Sequence, residues 1–195
     1  MRVVGGALRG LRLADPGAGD PAAALRPTAD RVREAIFGLL EGGRFGDPVG
    51  GARVLDLFAG TGALSVEALS RGAAAATLVE EGRPAIRLIR ENLARAGLAD
   101  RARLIARDAQ RLPPLAEPPF TLCFLDPPYG RGMGQRALGS ALAGGWLAPG
   151  ALVVWEEGAP MMPLPGTRLL DRRRHGIAHL TLLTTVPRSE EAAPA

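Results

Sequence analysis

From residue 52 onward, short apolar runs alternate with stretches whose apolar residues recur at helical spacing. The runs at 54–57, 76–79, 102–107, 121–125 and 151–157 read as strands, and 61–71, 83–96 and 134–143 read as helices. A short, proline-interrupted crossover at 109–119 leads into the fourth strand, and a final pair of strands, 167–172 and 177–185, is joined by Arg173-Arg174-His175-Gly176. Strands and helices in alternation predict an α/β fold, a parallel sheet with helices on both faces and ligands at the carboxyl ends of the strands. Upstream, residues 2–4 and 11–13 read as two short strands of a hairpin-like arm turning at Gly5-Gly6 and Gly10, and 15–25 as a loop. Thr28 is placed to cap a helix over 29–40, whose Val32, Ile36, Leu39 and Leu40 recur at helical spacing and leave Arg31 and Arg33 on other faces. The expected organisation is an N-terminal arm over 1–50, an α/β unit over 51–186 and a flexible tail over 187–195.

The chemistry gathers at the predicted strand ends. The fourth strand runs into Asp126-Pro127-Pro128-Tyr129. The Asp126 carboxylate and the Pro127 carbonyl can both accept hydrogen bonds from an exocyclic NH2, and the Tyr129 ring can stack on a heterocycle. The prolines stiffen the turn. The first strand ends in Asp56-Leu57-Phe58-Ala59-Gly60-Thr61-Gly62, a glycine turn that allows close backbone approach to a ligand. It lacks the third glycine of a dinucleotide fingerprint, and Asp56 at the strand end disfavours a pyrophosphate, which points to S-adenosylmethionine rather than NAD. Glu80, chosen over Glu81, ends the second strand 18 residues beyond Gly62, near the spacing at which a carboxylate meets ribose hydroxyls. Asp108 follows the third strand and suits an adenine amino group. Taken singly, each acid is better explained as a helix cap or a solvated strand end; it is their succession after predicted strands in chain order that favours binding. Phe58 completes the candidate cofactor set of Asp56, Gly60, Gly62, Glu80 and Asp108.

Asp56-x-x-x-Gly60-x-Gly62 followed by Asp126-Pro127-Pro128-Tyr129 resembles the class I methyltransferases that act on amino groups. With Met1-Arg2-Val3-Val4-Gly5-Gly6, Arg9-Gly10-Leu11-Arg12-Leu13 and the run from Arg26-Pro27-Thr28 to Phe37, the chain is similar to the bacterial small-subunit rRNA guanine-N2 methyltransferase D family as far as about Val186. The resemblance implies a Rossmann-like doubly wound sheet of order 3-2-1-4-5-7-6 with an antiparallel seventh strand. It also implies S-adenosylmethionine as cofactor, Asp126, Pro127 and Tyr129 as catalytic residues, and 16S rRNA or the small ribosomal subunit as partner. One departure is His175 before Gly176, where the family pattern has tyrosine. Adenine-N6 methylation of DNA or RNA uses the same turn, and a non-catalytic RNA-binding assembly factor is the reading from another class; methylation of a glutamine amide ranks lower.

Composition is in keeping with a nucleic-acid enzyme. The 195 residues suggest one globular domain, 47% hydrophobic and 23% charged. Net charge is +4 with a pI near 10.7, and every basic side chain other than the two histidines is an arginine. Arg2, Arg9, Arg12, Arg26, Arg31 and Arg33 are the candidate RNA contacts, because the guanidinium fork suits phosphate. For Arg172-Arg173-Arg174 a solvated hairpin tip explains the charge as well as RNA does. The single Cys123 reads as a small core residue, Trp146 and Trp155 as core or strand residues, and His175 and His179 lack metal-ligand spacing, so no metal is assigned. With no apolar span and no signal peptide, a cytoplasmic monomer is the default expectation.

Overall fold

The computed structural model describes residues 1–14 and 30–187. Seven strands, β1 (Arg53–Leu57), β2 (Ala75–Glu80), β3 (Ala102–Ala106), β4 (Phe120–Leu125), β5 (Leu147–Glu157), β6 (Thr167–His175) and β7 (Ala178–Thr185), form one sheet of order β3-β2-β1-β4-β5-β7-β6. The first five are parallel, and β7 runs antiparallel to both β5 and β6. The order and the reversed seventh strand are those implied by the family resemblance.

β1, β2 and β4 are buried almost throughout because helices cover both faces, so they read as continuous apolar runs rather than alternating ones. On one face, α1 (Asp30–Glu41), α2 (Ala63–Ser70), α3 (Arg83–Ala96) and the N-terminal arm share a core with Val54, Leu122, Phe124, Val154 and Leu180. On the other, α4 (Met133–Ala143) packs Ala137, Leu138 and Ala141 against Leu55, Cys123, Leu125, Val153 and Trp155. α3 forms where expected. Pro84 opens it, Gly97 closes it in the left-handed conformation, and Ala85, Leu88, Ile89, Asn92, Leu93 and Ala96 make its buried stripe. Among the described residues no helix is long and apolar enough to cross a membrane.

Several expectations are corrected. The arm's two strands reduce to a single antiparallel bridge, Arg2 to Arg12, with Val3 N donating to Leu11 O at 3.0 Å. α1 buries Arg33, Ile36, Phe37 and Leu40 rather than a face led by Val32 and Leu39. Arg33, a candidate RNA contact on sequence grounds, is instead fully buried and donates from Nη2 to the Arg2 carbonyl at 2.6 Å. Arginine tolerates this because its stem is apolar and its head has found an acceptor. β6 continues through Arg173, Arg174 and His175, so the hairpin turn is Gly176-Ile177 alone. β5 begins at Leu147, ahead of Pro149 and Gly150, through a register shift against β4 between Phe120 and Leu122. Arg26, the proposed Thr28 cap, the 15–25 loop and 188–195 lie outside the described residues.

The arm is docked on α2 by buried polar contacts. Glu67, buried on α2, accepts from Val4 N at 2.8 Å, Gly5 N at 2.7 Å and Arg71 Nε at 2.8 Å. Ser70 Oγ accepts from Leu8 N at 2.9 Å and donates to Gly5 O at 2.6 Å. Gly6 is required here: its φ is +73°, and a Cβ would fall 2.1 Å from the Ser70 carbonyl oxygen. All eight residues of α2 are buried between arm and sheet.

Candidate active site

Parallel pairing aligns the ends of β1 to β5, with Leu57 beside Val79 and Leu125, and Leu125 beside Trp155. The residues that follow therefore meet along one edge. Asp56 lies one residue below that edge and is buried, with Oδ2 accepting from Ser65 Oγ at 2.7 Å and Oδ1 without a hydrogen-bond partner. Burial pushes its pKa up to about 7, a rise that the Ser65 hydrogen bonds oppose and the nearby Glu80 charge assists.

Above Asp56 the backbone turns sharply. Phe58 has φ +62°, the only positive φ at a non-glycine among the described residues, and Gly60 and Gly62 follow at +57° and +76°. An aromatic residue in the left-handed region costs on the order of 1–2 kcal/mol, the kind of strain found where a turn is shaped for a ligand. Gly62 also lets α2 approach β2 and α3, since a Cβ would lie 3.0 Å from Leu78 Cδ2 and 3.4 Å from Ile89 Cγ1. Glu80 ties this turn to the next one. Its Oε2 accepts from Gly60 N at 2.9 Å, while Oε1 accepts from Glu81 N at 3.0 Å and Gly82 N at 2.8 Å. Asp108 closes a turn of its own, Oδ1 accepting from Gln110 N at 2.8 Å and Nε2 at 3.0 Å. Asp56 and Glu80 thus stand on the adjacent strands β1 and β2 and Asp108 just beyond the end of β3, an acceptor-rich edge suited to hydroxyl, amino or cationic groups.

The Asp126-Pro127-Pro128-Tyr129 turn leaves β4 beside this edge, with Asp126 N 3.4 Å from the Leu57 carbonyl oxygen. Two residues that sequence reasoning passes over hold it. Glu156, at the end of β5, accepts from the Tyr129 hydroxyl at 2.6 Å. Glu157 Oε1 accepts from Gly130 N and from Gly158 N, each at 2.9 Å. Both glutamates are buried, and Gly158 lies against the Tyr129 ring, where a Cβ would come within 3.1 Å of Cδ2. The available signal is a pair of acids ending a buried strand, where carboxylates need a structural reason to be.

The remaining candidates divide. Arg2, Arg12 and Arg31 are exposed. Arg2 and Arg12 are carried toward the glycine turn, since Met1 Sδ accepts from Thr61 Oγ1 at 3.7 Å, and Asn92 links Ala14 to the Thr61 carbonyl. Arg9 is exposed beside the C-terminal end of α2, at the opposite edge of the sheet. Cys123, Trp146 and Trp155 are core residues, with Trp146 donating to the Pro113 carbonyl at 2.8 Å. Among the described residues no group of three or more His, Cys, Asp or Glu stands together as a metal site.

The family model described as "Conserved hypothetical protein 95" matches residues 1–184. The ribosomal RNA small subunit methyltransferase D of Escherichia coli K12 is 38% identical over 167 residues, covering 84% of this chain and 79% of that protein. The protein of the same name from Haemophilus influenzae is 31% identical over 163 residues, covering 81% and 82%. The solved structure of "Putative methyltransferase yhhF" from Escherichia coli superposes with a TM-score of 0.78 at 34% identity, over 95% of this chain and 98% of that one. By sequence and fold together, the chain belongs to the conserved hypothetical protein 95 family, that of the small-subunit rRNA methyltransferase D proteins.

Proposed function

We propose that this protein transfers a methyl group from S-adenosylmethionine to the exocyclic N2 of a guanine in small-subunit ribosomal RNA. The observation that carries the reading is the Asp126-Pro127-Pro128-Tyr129 turn, anchored by Glu156 and Glu157 beside the carboxylate edge of β1 to β3. The names of the methyltransferase D relatives support the substrate class.

The residues present fit the cofactor. The unpartnered Oδ1 of Asp56 leaves a buried acceptor under the glycine turn, and its carboxyl titrates near neutrality, so it can ionise in response to a nearby cation. Glu80 and Asp108 would take the ribose hydroxyls and the adenine amino group, with Phe58, Gly60 and Gly62 shaping the turn around the ligand. Bound there, the cofactor supplies a methyl group already activated on a positively charged sulfur.

The chain's own work is on the nucleophile. A guanine amino nitrogen is poor in this role because its lone pair is delocalised into the ring. Hydrogen bonds from that amine to the Asp126 carboxylate and the Pro127 carbonyl favour a more tetrahedral nitrogen and stabilise the positive charge developing on it. Tyr129 stacks on the base, with its hydroxyl pinned by a hydrogen bond to Glu156 that fixes the ring. Positioning, rather than a covalent intermediate, supplies the acceleration, and the proton that the methylated nitrogen must shed leaves to Asp126 or to water. Arg2, Arg12 and Arg31 would meet RNA phosphates on the glycine-turn side, and we assign the 1–50 arm to presenting RNA to the 51–186 catalytic unit.

Purified protein incubated with radiolabelled S-adenosylmethionine and, in parallel, naked rRNA, unmodified small subunits and DNA should label RNA as N2-methylguanosine. N6-methyladenine in place of it would replace this reading with the adenine one, and failure to bind the cofactor at all would favour a non-catalytic assembly role.

A further inference from the structure

The most concentrated positive charge outside the site is on β6, with four arginines against one aspartate in nine residues of a chain whose net charge is +4. Its position is informative. β6 runs parallel to β5, so its arginine-rich C-terminal end finishes at the same edge as the methyl-transfer turn. The register makes continuous rows across three strands: Glu156 to Leu180 to Arg173, and Glu157 to His179 to Arg174. Two strand spacings place the Arg173 and Arg174 backbones about 10 Å from the two glutamates that hold Tyr129 and Gly130. A chain of contacts follows the same path. Gly158 packs under the Tyr129 ring, the segment beyond it carries Met161 and Met162, and Arg172 Nη2 donates to the Met161 carbonyl at 2.9 Å. Met162 and Ile177 stand on this part of the surface 71% and 59% exposed.

Charge on an edge strand commonly serves to block edge-to-edge pairing. Here its distribution does not follow the apolar edge. The exposed Leu169 lies in the half of β6 with one arginine, whereas three consecutive arginines crowd the catalytic end, and their side chains alternate between the two faces of the sheet.

We propose that the C-terminal end of β6 and the Gly176-Ile177 turn form a second RNA-contacting rim, in which Arg173 and Arg174 hold phosphates of the strand flanking the target base. The inference rests on the rRNA methyl-transfer reading and extends it to a surface on the far side of Tyr129 from the arm. The test uses the full chain with Arg173→Glu and Arg174→Glu combined, which keeps the edge charged, compared with the corresponding double Lys variant. KM for rRNA or small subunits should rise roughly tenfold in the glutamate variant, with kcat at saturation and cofactor affinity within about twofold. Its log–log salt dependence of RNA binding should flatten by about 1.5, taking roughly 0.7–0.9 for each phosphate no longer neutralised, and the lysine variant should keep most of the slope. Unchanged KM and salt slope in the glutamate variant would assign these arginines to edge protection and overturn the proposal. A wild-type protein that binds RNA but transfers no methyl group would defeat the functional reading instead, and the salt slopes would still judge the rim.

Discussion

Glu157 offers the sharpest view of how the fold holds its candidate site. One oxygen, Oε1, accepts from Gly130 N and Gly158 N at 2.9 Å, joining the turn after Tyr129 to the end of β5. Glu157→Ala removes both bonds. Hydrogen bonds to a charged acceptor contribute about 1.5–3 kcal/mol each, but both glycines are exposed and water can reach the released N–H groups, so the lower end applies. The expected loss is about 2–3 kcal/mol, which for a chain of this size corresponds to a fall in Tm of roughly 5–10 °C. If the same energy positions Asp126 and Tyr129 in the transition state, kcat/KM for methyl transfer should fall about 30- to 150-fold. Glu157→Gln separates geometry from charge, because its amide oxygen can replace Oε1 at both donors, and it should retain activity within several-fold. Thermal unfolding and steady-state methyl transfer read the two effects. An alanine variant with normal Tm and kcat/KM, or a glutamine variant as impaired as the alanine one, would refute the argument.

Other consequences follow from the same geometry. Glu80→Ala should weaken S-adenosylmethionine binding, read by calorimetry, while leaving RNA affinity unchanged; an unaltered cofactor Kd would remove Glu80 from the site. Asp56 has a folded-state pKa near 7 against an ordinary 3.8, so the folded state holds its proton more tightly than the unfolded one, and the resulting stability is lost as pH rises from about 4 to about 7. Asp56→Asn should abolish that slope, worth at most about 4 kcal/mol, in urea unfolding across this range, and identical pH slopes in both proteins would contradict the burial argument. Gly6→Ala forces a Cβ into the Ser70 carbonyl at a positive φ and should cost more than about 2 kcal/mol, with protease cleavage first within the arm; wild-type resistance would mean that the docking is not needed.

The alternation of strands and helices, the helix over 83–96 and the edge on which the acids gather were legible because parallel strands buried on two faces impose apolar runs, and the runs end where polar chemistry begins; the strand order itself came from the family resemblance, since apolar runs locate strands without ordering them. Periodicity could not choose the inner face of α1. Val32, Ile36, Leu39 and Leu40 make a plausible stripe, but the carbonyl of Arg2, brought near by the arm's docking, accepts from Arg33 and helps to hold it inside. The strand read over 151–157 leaves out Pro149 and Gly150, yet β5 passes through them because the register shift against β4 absorbs the irregularity. Glu156 and Glu157 are hidden for a related reason. Their partners, Tyr129 and Gly130, are 27 residues away in sequence and meet them only when β4 and β5 pair.

Methyl transfer to guanine N2 is decided by the nucleoside content of small-subunit rRNA from cells that lack this protein, complemented with the wild type or with Asp126→Asn. The wild type should restore N2-methylguanosine, and the Asp126 variant, though folded and still binding S-adenosylmethionine, should not. Restoration by the variant, or no change in N2-methylguanosine with either protein, would contradict this expectation.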